Sequence, residues 1–179
     1  MSEQIIYIDK EKKEIIHNKT GYRCIYCGRD AYGRCSVEHI IPQSIYKWVG
    51  AYLTAEDKHE LFNIITDRNN TWCACMSCNE SKNEHIINRH DINNLHIDNT
   101  SKGEIKSLLD RADTYIKDYK GIKSRILKKQ KFKCYTCSFM SHNIDNFILR
   151  RDDHTKARSL ENGVLLCERC NQIKSFEKY

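Results

Sequence analysis

The chain has 179 residues, with 10 Cys, 1 Pro and 7 Gly, a net charge of +6 and a mean hydropathy of −0.70. That length suits one domain of ordinary size or two very small ones, and 40% apolar against 30% charged residues excludes a disordered chain. No run reaches the roughly 18 apolar residues of a membrane helix, and the opening MSEQIIYIDKEKKE has no secretory apolar core, so a cytoplasmic location with reduced cysteines is expected.

In chain order, the first cysteine pair stands in Tyr22-Arg23-Cys24-Ile25-Tyr26-Cys27. Ser36-Val37-Glu38-His39-Ile40-Ile41 has strand character, with Pro42 just beyond it. Residues 44–65 look helical, with a cap at Thr54 and acids in the next turn. Asn70 precedes the pair Cys75/Cys78, where a short helix is expected to begin. Residues 85–100 are polar and suit a loop or short helix. A second helix is expected over about 101–130, with Ser101-x-x-Glu104 as a capping box and Gly121 as a place of interruption. Its apolar residues Ile105, Leu108, Leu109, Ala112, Ile116, Tyr119, Ile122 and Ile126 follow helical spacing. The pair Cys134/Cys137 comes next. Then Gly163-Val164-Leu165-Leu166 reads as a strand, and Cys167/Cys170 leads into a last helix. The expected fold class is α+β. A first module spans 1–83 with a helical insertion at 44–65, a basic helical connector spans 84–130, and a second module spans 131–179.

Four C-x-x-C pairs use eight of the ten cysteines and leave Cys35 and Cys73 over. Two residues between thiolates let one turn aim both sulfurs at one ion, and two pairs complete a tetrahedral zinc site. The expected sets are Cys24, Cys27, Cys75 and Cys78, then Cys134, Cys137, Cys167 and Cys170; the alternative is buried thiols or redox pairs. The pairs also mark a repeat. Tyr22-Arg23-Cys24 matches Phe132-Lys133-Cys134 at an offset of 110, while Asn70, Cys75, Cys78, Asn79 and Lys82 match Asn162, Cys167, Cys170, Asn171 and Lys174 at 92. The first copy therefore carries 18 extra residues, between Pro42 and Asn70. Modules this small need a metal staple.

Residues 1–83 hold 11 basic and 11 acidic residues, so residues 84–179, with 19 and 13, carry the whole +6. Lys120, Lys123, Arg125, Lys128, Lys129, Lys131 and Lys133 form a stripe without an acid. Such a stripe suits the phosphates of double-stranded DNA, although a solvated helix face has the same composition. Eight zinc-bound thiolates and two Zn2+ would reduce the net charge to roughly +2, so DNA binding would rest on local patches.

Glu38 beside His39 is a pairing suited to metal-assisted phosphodiester hydrolysis. The carboxylate can hold a hard cation and the histidine can take a proton from water. Neighbours on a regular strand face opposite ways, so one site for both requires the strand to end or bulge there. Cys24-x-x-Cys27-Gly, Glu38-His39-Ile-Ile-Pro, Asn70 and Cys75-x-x-Cys78-Asn79-x-x-Lys82 together resemble the HNH, or ββα-metal, nuclease family with structural zinc. The resemblance covers 22–83, and the duplicated chain is similar to small HNH restriction endonucleases. It implies two tandem ββα-metal modules. It also implies Glu38 and Asn79 as ligands of a catalytic Mg2+ or Mn2+, His39 as general base, Asn70 as brace of the base's loop, and Lys82 on phosphate. The family's usual acid is Asp, where this chain has Glu38.

The second copy offers Asp153 and His154 as acid and base, with Asn162 and Asn171 in the supporting positions and Asp153 with Asn171 as the alternative metal pair. It lacks the Ile-Ile-Pro continuation. The other reading of this copy is a zinc-stapled scaffold that docks DNA through Arg150, Arg151 and Lys156. The expected function is a sequence-specific type II restriction endonuclease, with a homodimer if its site is palindromic. A homing or phage-defence nuclease is the family alternative. A non-catalytic zinc-ribbon DNA-binding protein is the rival from another class.

Overall fold

The computed structural model describes residues 10–82 and 85–176. It is an α+β protein with two separate two-stranded antiparallel sheets. The chain divides into two compact units, Met1–Thr114 and Tyr115–Tyr179. The division falls inside one long helix rather than on either side of the expected connector. Among the described residues no helix is long and apolar enough to cross a membrane.

The first unit opens with α1 (Lys10–Lys19), which buries Ile16. Gly21 and Tyr22 then take left-handed backbone conformations (φ 56° and 58°), turning the chain into the first cysteine pair. Strand β1 (Cys35–His39) pairs with β2 (Thr71–Cys75) so that Cys35 faces Cys75, Val37 faces Cys73 and His39 faces Thr71. The insertion between them forms two helices rather than one, α2 (Gln43–Val49) and α3 (Ala55–Thr66). The break comes where Gly50 closes α2 and Thr54 starts α3 by accepting from the Asp57 amide. Ile40, Ile41, Ile45, Leu61, Ile64, Ile65 and Trp72 are almost fully buried and form the core of this unit. Lys19 ties α1 to β2 by donating to the Arg68 carbonyl (2.8 Å) and lying over the Trp72 ring. The short helix α4 (Met76–Lys82) follows β2 directly.

Helix α5 (Asn99–Lys129) runs 31 residues without a break. Its eight expected apolar positions are all buried. Gly121 does not interrupt it, because the turns on both sides are held by buried Tyr119, Ile122 and Ile126. The cap is Asp98 rather than Ser101: its carboxylate accepts from both the backbone amide and the hydroxyl of Ser101, each at 2.8 Å. A carboxylate at a helix start also meets the positive end of the helix dipole.

The second unit continues from α5 through left-handed Lys131 and Phe132 (φ 54° and 61°). Strand β3 (Phe147–Arg151) pairs with β4 (Gly163–Cys167), and α6 (Glu168–Phe176) follows. The repeat is longer than the cysteines suggested. In the first unit the Tyr22 amide donates to the His17 carbonyl at the end of α1; in the second the Phe132 amide donates to Leu127 near the end of α5, both at 2.9 Å. Each unit is therefore helix, left-handed turn, cysteine knuckle, two strands and helix.

Gly28 is a local test of this geometry. It has φ of +69°, and a methyl group there would lie 2.8 Å from the His96 ring, whose backbone amide donates to Ile25 inside the knuckle. Gly28→Ala is expected to lower stability by about 1–3 kcal/mol. Chemical denaturation of the zinc-loaded protein would measure this, and an unchanged midpoint would contradict it.

Candidate metal centres and candidate active site

In the first unit the knuckle is closed by the Cys24 amide donating to Arg29 and the Gly28 amide donating to Cys24, both at 2.9 Å. Cys75 is the last residue of β2 and Cys78 lies in the first turn of α4, so strand and helix deliver the other two sulfurs. The sulfurs of Cys24, Cys27, Cys75 and Cys78 all lie within 4.8 Å of one another, as do those of Cys134, Cys137, Cys167 and Cys170. Cys27 and Cys75 are 3.9 Å apart and Cys137 and Cys167 are 3.7 Å apart. A zinc tetrathiolate with Zn–S near 2.3 Å has sulfur–sulfur edges of about 3.8 Å, so both clusters are compatible with a structural zinc ion.

The remaining cysteines are not free thiols. Cys35 and Cys73 are joined as a disulfide across β1 and β2, with Cα atoms 5.7 Å apart. The strand register places them diagonally on one sheet face. The same register positions in the second unit hold Phe147 and Leu165, both buried.

Glu38 is 2% exposed, and its carboxylate receives the Lys82 ammonium at 2.5 Å. Lys82 also donates to the His39 carbonyl at 2.8 Å. Two residues back on the same strand face, the Ser36 hydroxyl accepts from the Asn79 amide at 2.9 Å and donates to Ala74. Asn79 and Lys82, three apart on α4, thus pair with Ser36 and Glu38, two apart on β1. Helical and strand periods set Asn79 and Lys82 against one face of β1. Burial pushes the Glu38 carboxyl upward, and Lys82 opposes it. The Tyr26 hydroxyl lies beside this carboxylate, and burial first, then the Glu38 charge, pushes its pKa up. It is buried with no partner in hydrogen-bonding geometry. Tyr26 and Ser36 have no signal in the sequence that would mark them as part of a site.

His39 is the last residue of β1. The strand stays in register to its end, so the imidazole faces away from Glu38 and meets Gln43 at the start of α2. The Gln43 amide donates to Nε2 at 3.1 Å. Burial, then the charges of Lys82 and Lys47, lower the His39 pKa to about 4, which keeps the ring neutral at neutral pH. Asn70 is fully buried. Its side chain accepts from the Ile41 amide (2.7 Å) and donates to the Ile41 and Ile65 carbonyls, clamping the turn after His39.

Asn162 makes the same clamp in the second unit. It accepts from the Asp153 amide and donates to the Asp153 carbonyl, both at 2.9 Å. Asp153 therefore corresponds to Ile41, not to Glu38. Pairing Cys167 with Cys75 gives the same answer: Phe147 takes the place of Cys35, Arg150 of Glu38 and Arg151 of His39. Asp153 spends its carboxylate on its own turn, accepting from the Thr155 amide (2.9 Å) and hydroxyl (2.6 Å). These bonds, then Lys156, hold its pKa at about 2. His154 is exposed beyond the strand, and Asn171 is half-buried on α6.

The basic stripe loses one member. Lys123 is 4% exposed because it stands three or four residues from Tyr119 and Ile126, on the apolar face of α5. Its ammonium lies 5.9 Å from the Tyr119 ring centroid. Lys120 is half-exposed, and Arg125, Lys128, Lys129, Lys131 and Lys133 are exposed.

Two zinc ions per chain are expected on mercurial titration, and Cys78→Ser or Cys170→Ser should each remove one. Chelation should abolish the cooperative thermal transition, since zinc binding at such sites is worth on the order of 10 kcal/mol. A melt indifferent to chelation would show that the sulfur clusters do not hold the fold.

No family model, no curated protein and no solved structure matches the chain.

Proposed function

We propose that the first unit is the catalytic centre of a metal-dependent HNH endonuclease that hydrolyses phosphodiester bonds in double-stranded DNA. The observation that carries the reading is the strand end itself, where buried Glu38 and Asn79-bound Ser36 share one face, neutral His39 follows on the other, and Asn70 clamps the turn beyond. A zinc staple does not require that set.

The donors suit a hard cation. Glu38 contributes carboxylate oxygens, and Asn79, whose NH2 is given to Ser36, contributes an amide oxygen. Two protein oxygens, with water and phosphate oxygens filling the rest, are the usual provision for Mg2+ or Mn2+. When bound, the ion supplies positive charge to the scissile phosphate and the leaving 3′ oxygen. The chain's own residues do the rest. Neutral His39 has the lone pair on Nε2 to accept a proton from the attacking water. Gln43 covers that atom and yields it when water enters. Lys82, already against Glu38 and the His39 carbonyl, is placed to pair with a phosphate oxygen once the carboxylate has another cation. Departure of the 3′ oxygen, protonated by solvent as it leaves, gives 5′-phosphate and 3′-hydroxyl ends. Sequence-specific restriction is the setting that suits a small chain of two units.

One observation favours the rival, a zinc-stapled DNA-binding protein without catalysis. The Glu38–Lys82 pair is almost wholly buried, at 3% and 7% side-chain exposure, and serves as a structural link between β1 and α4. His39→Ala separates the two readings. It should keep both zinc ions and DNA affinity while losing cleavage by at least about 10²-fold, the usual contribution of a general base. Both nicking and double-strand cleavage should disappear. Nicking that persists would place a second active centre in the other unit, and unchanged cleavage would remove His39 from the reaction.

A further inference from the structure

We infer that Arg150 and Arg151 make the second unit a binding site for the DNA backbone phosphate, at the register positions where the first unit carries its acid and base. The inference rests on the nuclease reading above, and it assigns to the second unit a task that zinc binding does not explain.

The correspondence is fixed twice, by strand pairing and by the asparagine clamp. Arg150 stands opposite Val164 as Glu38 stands opposite Trp72, and Arg151 opposite Gly163 as His39 opposite Thr71. Asn162 grips Asp153 as Asn70 grips Ile41, two residues past the strand end in each case. The clamp, the knuckle and the sulfur cluster have been kept, while the side chains at the strand end have reversed in charge. A carboxylate and a neutral imidazole in one unit are replaced by two guanidinium groups in the other, a change of three charges toward positive.

This reversal changes what the position can bind. Glu38 is 2% exposed and neutralised by Lys82, whereas Arg150 and Arg151 are half-exposed, each donating to a backbone carbonyl (Leu149 and Lys156) at 3.1–3.2 Å. Lys174 occupies the sequence position of Lys82, so the acid–base pairing of the first unit has no counterpart by residue type. Adjacent residues of a strand face opposite ways, so these two half-exposed arginines would each meet a different phosphate, and a guanidinium group matches phosphate oxygens with paired donors. The same unit also holds exposed Lys128, Lys129, Lys131 and Lys133. It is joined to this sheet by Gln130, whose side chain bonds the Leu165 amide (2.8 Å) and carbonyl (3.0 Å) on the outer edge of β4. Nucleic-acid backbone is the polyanion that uses a stripe and a clamp together.

The test is duplex-DNA affinity of the full, zinc-loaded chain across a series of KCl concentrations without added Mg2+. Arg150→Gln/Arg151→Gln should weaken binding by on the order of tenfold and reduce the slope of log K against log salt by about 2, one for each lost phosphate contact. Arg150→Lys/Arg151→Lys should restore most of the slope, because it keeps the charge, whereas a merely structural role would respond to neither. Zinc content and far-UV circular dichroism of the Gln variant should match wild type. A wild-type slope in a folded Gln variant overturns this proposal and leaves His39 catalysis standing. DNA binding without cleavage by wild type overturns the catalytic reading and leaves the phosphate site in place. A wild-type chain that does not bind duplex DNA overturns both.

Discussion

Four cysteine sulfurs drawn within 4.8 Å cannot all be thiolates unless a cation lies among them. Both units are built around that constraint. In each, two sulfurs come from a tight knuckle and two from the junction of a strand with a helix, and a backbone hydrogen bond from the knuckle to the second strand (Ile25 to Cys73, Tyr135 to Leu165) holds the two parts in place for one ion. In the first unit, an ion held by this cluster would fix the start of α4 against the end of β2. The placement of Asn79 and Lys82 against β1 follows from it.

The same scaffold also explains how two copies diverged without losing their shape. The left-handed turn, the knuckle, the strand register and the asparagine clamp are backbone devices, satisfied by backbone hydrogen bonds and one buried amide. None of them depends on what stands at the strand end. Position 38 is a buried carboxylate and its partner position 150 a half-exposed arginine, yet both hairpins keep the same register. The disulfide shows the same tolerance. Cys35 and Cys73 span the sheet face that Phe147 and Leu165 fill with apolar bulk, so a covalent link and a packed pair serve equivalent positions.

Much of this was legible in the residues. C-x-x-C spacing marks metal clusters because a short turn converges two sulfurs, and the apolar spacing of α5 matches its buried face. Thr54 announced a helix start through its own hydroxyl. Other readings failed for local reasons. Ser101 has the look of a cap, but Asp98 holds the position because its carboxylate reaches both donors of Ser101. Lys123 reads as part of a basic stripe, although its helical phase turns it inward beside Tyr119. Tyr26, Ser36 and Gln43 belong to the candidate site only through partners distant in sequence.

Residue type alone carries the chain's chemistries: eight paired thiols, the Glu38-His39 dipeptide, two matched pairs of asparagines and a basic second half. Those depend on residue type and short spacing, which folding does not alter. Which residues correspond between the units is settled by strand pairing. An acid followed by a histidine occurs in both copies, yet strand register is set by hydrogen bonds between β3 and β4 and by the Asn162 clamp. Those bonds place Arg150 and Arg151, not Asp153 and His154, opposite the positions of Glu38 and His39. A shift of three residues is invisible in an ungapped reading, and it separates an acid followed by a histidine from two adjacent arginines.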